Sequence, residues 1–285
     1  MKENEGLKMK QYKSNDNQIV LNVNIGLMMT GKLLEGRTVL ITGASGGIGA
    51  CIAKQCVEQN ANVILIGRNQ KRLEDLCKEI GNKASQICVD LQKVSDFDAL
   101  IQEAYSYYGN IDCLVNNAGV SFHEGDFMNV TKASWDTQFD INLKVPFFLT
   151  QSWLRYYRVN NLKNGRVVLM ASDTSGMGST IPYGLTKAGI ASFTYGLAKK
   201  LIVEGIRVNA LAPGTTLTPM TQDFTHGELC RASTQGKRTL FPEEIAQLCI
   251  FLLSDLSACV SGNIFGCSEA NICFNNIERE METNP

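Results

Sequence analysis

Short apolar runs alternate with helix-like stretches along most of this chain. The runs lie at 38–42, 63–66, 86–89, 113–115, 167–171, 206–211 and 263–265. Segments of helical character follow at 48–59, 71–80, 95–107, 183–204 and from 242 onwards. Apolar strands joined by helical crossovers are typical of a parallel sheet covered by helices on both faces. We therefore predict an α/β fold, with a single doubly wound domain and a parallel seven-stranded sheet over residues 34–273.

The two ends of the chain fall outside this pattern. Residues 1–33 are polar and then weakly alternating, without helix caps, and residues 274–285 are polar. We predict a partly disordered N-terminal extension at 1–33 and a polar C-terminal tail at 274–285.

The composition favours a globular protein that binds a small molecule. Hydrophobic residues make up 44% of the 285, which is enough for a large core. The net charge of −1 offers no field that would gather nucleic acid or an anionic membrane. No run reaches the ~18 apolar residues that a membrane span needs. We expect a small-molecule substrate and neither a nucleic-acid nor a membrane partner.

Cysteine and histidine usage argues against disulfide and metal sites. The ten Cys residues include no CxxC pair, and several lie inside apolar runs, which is typical of buried residues in a reducing compartment. We therefore predict a cytoplasmic protein. His123 and His226 are far apart, and no Cys pairs have zinc-ligand spacing, so no metal site is predicted.

A glycine-rich turn joins the first predicted strand to the first helix, with the spacing Gly-x-x-x-Gly-x-Gly. Glycines let the backbone approach a ligand closely, and the free N–H groups and positive dipole end of the helix favour a diphosphate. The alternative is that the tight turn alone requires the glycines. The candidate cofactor-binding residues in this turn are Gly43, Ser45, Gly46, Gly47, Ile48 and Gly49.

Arg68 follows the second strand, where NAD-binding folds place an acidic residue that holds the ribose 2′-hydroxyl. A guanidinium suits a 2′-phosphate instead. We therefore favour NADP(H) over NAD(H) as the cofactor, the alternative being a solvated surface Arg.

Tyr183 and Lys187 are four residues apart in a helical segment, so they lie on one face of it. An ammonium group beside a phenol favours the phenolate and lowers the pKa of the phenol towards the range of general acid/base catalysis. Taken alone, the same spacing is common on solvated helix faces.

Four motifs in this order resemble the short-chain dehydrogenase/reductase family over roughly residues 34–270. They are Thr42-Gly43-x-x-x-Gly47-x-Gly49, Asn116-Asn117-Ala118-Gly119, Tyr183-x-x-x-Lys187 and Pro213-Gly214. The resemblance implies a Rossmann-type domain, a nicotinamide cofactor, and a homo-oligomer, either a dimer or a tetramer.

The resemblance also assigns roles to the matching positions. Tyr183 is similar to the general acid/base of the family, and Lys187 to the residue that lowers its pKa and holds the nicotinamide ribose. Ser172 is similar to the serine that hydrogen-bonds the substrate carbonyl, and Asn142 to the asparagine of a proton relay. The further cofactor-binding positions that the family implies are Asp90, Leu91, Asn117, Ala118, Gly119, Pro213, Gly214 and Thr218.

The sequence departs from the family pattern in two places. Only ten residues separate Ser172 from Tyr183, about two fewer than usual, so Ser175 remains an alternative catalytic serine. Gly46 stands where NADP-using members often carry Lys or Arg, so the case for NADP(H) rests mainly on Arg68.

Pro146 lies four residues after Asn142 and has no N–H to donate to its carbonyl oxygen. We hypothesise that Pro146 leaves this oxygen open to a relay water. The alternative is that Pro146 only kinks a long helix.

The sequence and the resemblance together predict an NADP(H)-dependent oxidoreductase that interconverts a secondary alcohol and a ketone. The expected substrate loop after Pro213 carries Leu217, Met220, Phe224 and Leu240, and Phe122, Trp135 and Met177 lie elsewhere in the sequence. These apolar residues favour a substrate with an apolar body, such as a hydroxysteroid; the alternative is that they are core or oligomer contacts. The first alternative is a 3-oxoacyl thioester reductase, although Glu204 stands where a basic residue often meets the acyl carrier. The second is a dinucleotide-sensing or partner-binding module without turnover.

Overall fold

The computed structural model describes residues 7–13, 20–26, 31–225, 231 and 234–269. Within the N-terminal extension, β1 (Leu7–Lys13) and β2 (Val20–Gly26) pair as an antiparallel hairpin. Partial disorder of the rest of this extension stays a prediction. The polar tail predicted at 274–285 lies outside the described residues.

The main sheet has seven parallel strands, which confirms the predicted architecture. Its strands are β3 (Thr38–Thr42), β4 (Asn62–Gly67), β5 (Ala84–Cys88), β6 (Cys113–Asn116), β7 (Arg166–Met170), β8 (Arg207–Pro213) and β9 (Ile264–Cys267). Their order is β5-β4-β3-β6-β7-β8-β9. The chain winds outwards from β3 in one direction and from β6 in the other. Ligands of such sheets bind at the carboxyl ends of the two strands where the winding reverses.

Helices cover both faces of this sheet. They are α1 (Gly47–Glu58), α2 (Gln70–Ile80), α3 (Phe97–Tyr108), α4 (Lys132–Phe139), α5 (Val145–Val159), α6 (Pro182–Leu201), α7 (Gln222–Thr225) and α8 (Pro242–Leu253). The helix predicted at 183–204 is α6 followed by a 3-10 turn, Ile202–Glu204. No helix in the described ranges has the length and apolarity to cross a membrane.

The core forms two layers because successive strand residues point to opposite faces of the sheet. Leu40 of β3 packs on the side of α3, α5 and α6, whereas its neighbours Val39 and Ile41 pack on the side of α1, α2 and α8. All three side chains are fully buried. Burial on both faces explains why the strand sequences are continuously apolar rather than alternating.

Local sequence signals set several helix ends. Asp96 accepts hydrogen bonds from the N–H groups of Asp98 and Ala99 and so starts α3. Gly109 ends α3 with φ +72°, a left-handed conformation that glycine adopts without a steric penalty. Asn69 accepts from the Arg72 N–H at the start of α2. Each cap satisfies backbone groups that have no partner within the helix.

A π-helical turn, Asp140–Lys144, joins α4 to α5, and the N–H of Val145 bonds the Asp140 carbonyl oxygen. Pro146 lies in the first turn of α5, where a missing N–H costs little. Asn142 is inside the wide turn and is buried. The effect of Pro146 on the Asn142 carbonyl stays a hypothesis.

Candidate active site

The glycine-rich turn lies at the carboxyl end of β3. Gly43 and Gly47 have φ values of +66° and +56°, which side-chain-bearing residues rarely adopt. A Cβ on Gly43 would lie 2.9 Å from the Ala118 Cα, and a Cβ on Gly49 would lie 2.5 Å from the Gly43 carbonyl oxygen. No side chain caps the first turn of α1. This cradle of backbone and open N–H groups fits the diphosphate of a dinucleotide.

Asn117 braces the turn from the neighbouring strand. Its Nδ2 donates to the carbonyl oxygens of Thr42 and Gly43 at 2.9 and 3.2 Å. The Thr42 hydroxyl in turn accepts from the N–H groups of Asn117 and Ala118, both at 3.0 Å. These bonds join the ends of β3 and β6 into one wall of the cleft.

Two arginines lie at the far end of this wall. Arg68 and Arg72 both line the cleft, and the Arg72 Nη1 is 3.9 Å from the point where a Cβ on Gly46 would lie. Over the described part of the chain, neither guanidinium has a hydrogen-bond or ion-pair partner. Asp90 lies nearby, and its carboxylate accepts from the Gln92 N–H. Both guanidiniums can therefore bind an anionic group in the cleft.

Tyr183 lies one helical turn from Lys187 in α6, as the spacing predicts. The Lys187 Nζ is 5.6 Å from the centre of the Tyr183 ring and donates to the Met170 carbonyl oxygen at 2.7 Å. The Ser172 side chain, just after the end of β7, lies close enough to the Tyr183 hydroxyl to lower the pKa of the phenol. Phenol, hydroxyl and ammonium therefore meet at one wall of the cleft.

The pKa of Tyr183 differs from the sequence-based expectation. Burial raises the pKa of the phenol, the Ser172 hydrogen bond lowers it, and the Asp173 carboxylate raises it. Burial also lowers the pKa of Lys187 to about 8. The ammonium faces the ring and the Met170 carbonyl, and desolvation is the largest cause of the shift in the pKa of the phenol.

Ser172 and Ser175 have different surroundings. Ser172 lines the cleft, whereas the Ser175 hydroxyl accepts from the Ser172 N–H at 3.0 Å and closes a capping box. Ser175 is therefore occupied in holding the 3-10 turn Asp173–Gly176. The geometry places Ser172 beside Tyr183 and keeps Ser175 behind the turn.

Asn142 does not line the cleft. Its Oδ1 accepts from the Val120 N–H at 2.8 Å, and its Nδ2 donates to the Val120 carbonyl oxygen and the Thr186 hydroxyl. The Gly119 backbone lies between Asn142 and Lys187, because a Cβ on Gly119 would be 3.4 Å from the Asn142 Oδ1 and 3.7 Å from the Lys187 Nζ. The side chain of Asn142 thus supports the turn after β6, and its relay role stays a prediction.

The segment after β8 covers the opposite side of the cleft. Pro213, Gly214 and Thr218 line it, and a Cβ on Gly47 would lie 3.2 Å from the Thr218 Cγ2. The Met220 carbonyl oxygen lies 3.0 Å from the His123 Nε2, so this segment contacts the loop after β6.

The cleft has a volume of about 800 Å³. All the predicted cofactor-binding residues line it except Gly49, which packs beneath the glycine turn. Several further lining residues were not anticipated, among them Arg72, His123, Asp173 and Thr174. Among the described residues, no group of three His, Cys, Asp or Glu side chains could hold a metal ion.

Of the apolar residues that we expected near the substrate, only some line the cleft. Phe122 and Met220 line the cleft. Trp135 instead stacks on Phe139 at 4.2 Å, and Met177 is exposed outside the cleft lining. Leu217 and Leu240 do not line it either, and the Phe224 side chain lies outside the described residues.

The sequence matches the family described as short chain dehydrogenase over residues 37–229. It is 34% identical over 242 residues to the 3-oxoacyl-[acyl-carrier-protein] reductase FabG of Thermotoga maritima, with 82% of this chain and 96% of that protein aligned. It is 35% identical over 247 residues to the oxidoreductase UcpA of Escherichia coli strain K12, with 80% and 92% aligned.

A solved structure shows the same fold. The 3-ketoacyl-(acyl-carrier-protein) reductase from Brucella melitensis, complexed with NADH, aligns with a TM-score of 0.78 and 28% identity. The alignment covers 84% of this chain and 100% of that one. The chain therefore belongs to the short-chain dehydrogenase/reductase family and is an oxidoreductase that acts on CH–OH or keto groups.

Proposed function

We propose that this protein is an NADP(H)-dependent oxidoreductase that interconverts a secondary alcohol and a ketone, with Tyr183 as the general acid/base. The observation that carries the proposal is that Tyr183, Ser172 and Lys187 line the same cleft as the glycine turn. A proton donor and a dinucleotide cradle are the two parts that carbonyl reduction requires.

Each residue has a separate task in this mechanism. The bound nicotinamide would supply or accept the hydride. Tyr183 donates its proton to the carbonyl oxygen in reduction, and its raised pKa keeps the phenol protonated at neutral pH. Lys187, beside Tyr183 and the end of β7, would hold the nicotinamide ribose. Asn142 would continue the proton relay behind Lys187, and Ser172 would hydrogen-bond the substrate carbonyl beside Tyr183.

The preference for NADP(H) rests on Arg68 and Arg72. Arg68 follows β4, where an acidic residue would favour NAD(H). Arg72 brings a second guanidinium to Gly46, the position where the sequence lacks a basic side chain. Two unpaired cations favour the 2′-phosphate of NADP(H) over the 2′-hydroxyl of NAD(H).

The proposed substrate has an apolar body, such as a hydroxysteroid, which would contact Phe122 and Met220. A second candidate is a 3-oxoacyl thioester, because two of the similar proteins are reductases of that class. One observation argues against this candidate. Glu204 is acidic where a carrier-dependent reductase often has a basic residue, and it also pairs with the nearby Arg158, with an Nε–Oε2 distance of 2.8 Å. This pair therefore offers no free basic group to an acidic carrier. We further propose a cytoplasmic homo-oligomer, supported by the exposed Phe147 and Phe148 beside Phe193.

The test is NADPH oxidation with a panel of hydroxysteroid ketones, acyl thioesters and small ketones. We expect the Tyr183→Phe variant to lose about 10²–10⁴-fold in kcat while keeping its fold and cofactor affinity. Activity that does not depend on Tyr183 would refute the mechanism. Size-exclusion chromatography with light scattering tests the oligomer.

A further inference from the structure

A carboxylate lies beside the proposed proton donor. Asp173 follows Ser172 directly, opens the 3-10 turn Asp173–Gly176, and lines the cleft as a half-buried side chain. Its Oδ2 is 3.4 Å from the point where a Cβ on Gly214 would lie, so it also faces the segment that covers the cleft. The negative charge of Asp173 raises the pKa of the Tyr183 phenol. A molecule whose carbonyl oxygen meets Tyr183 therefore also comes within reach of Asp173.

The hydroxyl of Ser172 has a single hydrogen, which it can give to one acceptor at a time. It donates to the Asp173 Oδ1 at 3.1 Å. Its oxygen accepts from the N–H and from the hydroxyl of Thr174, at 3.3 and 3.1 Å. In the proposed function Ser172 would hydrogen-bond the substrate carbonyl, and a carbonyl oxygen only accepts. Asp173 would then lose the Ser172 donor when the substrate binds.

A hydroxyl group next to the substrate carbonyl can replace this donor. Covalent bond lengths place two oxygens on adjacent carbons about 3 Å apart when both lie on the same side. The Ser172 Oγ and the Asp173 Oδ1 are 3.1 Å apart, so they can meet these two oxygens side by side. A hydroxyl that donates to a carboxylate makes a charge-assisted hydrogen bond, which is stronger than one between neutral groups.

We propose that Asp173 determines the substrate class by accepting a hydrogen bond from a hydroxyl group on the carbon next to the reacting carbonyl. The substrate is then an α-hydroxy ketone and the product a vicinal diol, an inference that rests on the proposed function and narrows it. The carbonyl carbon receives the hydride and the carbonyl oxygen receives the Tyr183 proton, while the neighbouring hydroxyl stays intact. The apolar body of the substrate would still contact Phe122 and Met220.

The charge of Asp173 also restricts which group can occupy this position. A carboxylate next to the carbonyl would place two negative charges side by side, which disfavours binding of 2-oxo acids. An ammonium group would share the cleft with the Lys187 ammonium, which lies on the same wall. A neutral hydroxyl group satisfies Asp173 without either repulsion.

The direct test compares three ketones that differ in one group. Each has a phenylethyl group on one side of the carbonyl, and the other side carries a methyl, a hydroxymethyl or a carboxylate group. Calorimetry on the enzyme loaded with NADP⁺ gives the dissociation constant of each ketone without turnover. NADPH oxidation gives kcat/KM for each. Both measurements are made on the unsubstituted protein, on Asp173→Asn and Asp173→Ala, and on the control Asp136→Asn, which changes an exposed carboxylate of α4 paired with Lys132.

We expect the unsubstituted protein to prefer the hydroxymethyl ketone over the methyl ketone and to bind the carboxylate ketone most weakly. The first preference should fall by about 10- to 100-fold in Asp173→Ala, because a hydrogen bond to a charged acceptor is lost. The preference that remains there measures the intrinsic difference between the two ketones. Asp173→Asn keeps an acceptor oxygen and should retain part of the preference, while the carboxylate ketone gains. Asp136→Asn should leave all ratios unchanged.

Tyr183→Phe separates this inference from the proposed function. If Tyr183→Phe is inactive and both Asp173 variants, still folded by thermal unfolding, keep the ratios of the unsubstituted protein, only the inference fails. If Tyr183→Phe retains full activity, the proposed proton donor is wrong. The binding ratios on the NADP⁺ complex then still decide whether Asp173 recognises the hydroxyl group.

Discussion

The ammonium group of Lys187 lies 5.6 Å from the centre of the Tyr183 ring and bonds the Met170 carbonyl oxygen at the end of β7. Lys187 is only 4% exposed, and burial lowers its pKa to about 8 from the model-compound value of 10.5. The pair therefore combines a phenol that resists ionisation with an ammonium that gives up its proton more readily than usual.

Lys187 should make the stability of the protein rise with pH. The folded-state pKa is below the unfolded one, so the unfolded state binds more protons between about pH 8 and 10.5. In that window Lys187 contributes a slope of up to ~1.4 kcal/mol per pH unit to the free energy of unfolding. Urea unfolding of Lys187→Met between pH 7 and 9.5 should lack this slope. Parallel pH profiles for the two proteins would contradict the prediction.

Arg68 and Arg72 should contribute separately to NADP(H) binding. We expect Arg68→Ala and Arg72→Ala each to weaken NADP⁺ binding by about tenfold, because each removes a charge-assisted contact to phosphate. NAD⁺ affinity should change little. Fluorescence titration at two salt concentrations measures both constants, and raised salt should weaken NADP⁺ binding less in the variants. An equal loss for the two cofactors would count against the assignment.

Gly49 should tolerate no side chain. A Cβ there would lie 2.5 Å from the Gly43 carbonyl oxygen and 2.6 Å from the Asn117 Nδ2, so Gly49→Ala must distort the glycine turn. We expect it to destabilise the protein by about 2–3 kcal/mol and to weaken dinucleotide binding. Gly196→Ala is a matched control in exposed α6 sequence with open space around the position. Gly196→Ala should raise the free energy of unfolding by ~0.5–1 kcal/mol. Comparable losses in both variants would show that close approach is not the cause.

Substitution of Ser172 should lower activity, whereas substitution of Ser175 should lower stability. Ser172→Ala removes the hydroxyl that lines the cleft beside Tyr183 and would position the substrate carbonyl, so it should lower kcat by about 10²-fold. Ser175→Ala removes the capping interaction with the Ser172 N–H and should lower the free energy of unfolding by about 1 kcal/mol. Steady-state kinetics and thermal unfolding of both variants check this. A larger loss of kcat in Ser175→Ala, with its fold intact, would reverse the assignment.

Much of the fold could be predicted because buried parallel strands are continuous apolar runs. The run at 38–42 coincides with β3, and the segment at 71–80 differs from α2 by one residue. α4 and α5 were harder to predict because the π-helical turn between them shifts the helical periodicity and Pro146 interrupts the pattern.

The candidate site also has parts that the sequence predicts and parts that it does not. The glycine turn and the Tyr183–Lys187 pair are local in sequence and could be predicted. Arg72 reaches Gly46 across 26 positions, and His123 meets the Met220 carbonyl across 97, so no local pattern indicates either contact. The direction of the pKa shift of Tyr183 depends on burial, which the spacing of two residues does not contain.

The covering segment is anchored by backbone at both ends. The Leu240 N–H bonds the Thr215 carbonyl oxygen at 2.8 Å, and the Leu217 N–H bonds the Leu240 carbonyl oxygen at 2.9 Å, around a parallel bridge between Thr216 and Leu240. These bonds use no side-chain atoms. Because Thr215 and Thr216 also line the cleft, substitutions at these two positions can change its lining while the backbone pairing holds the segment in place.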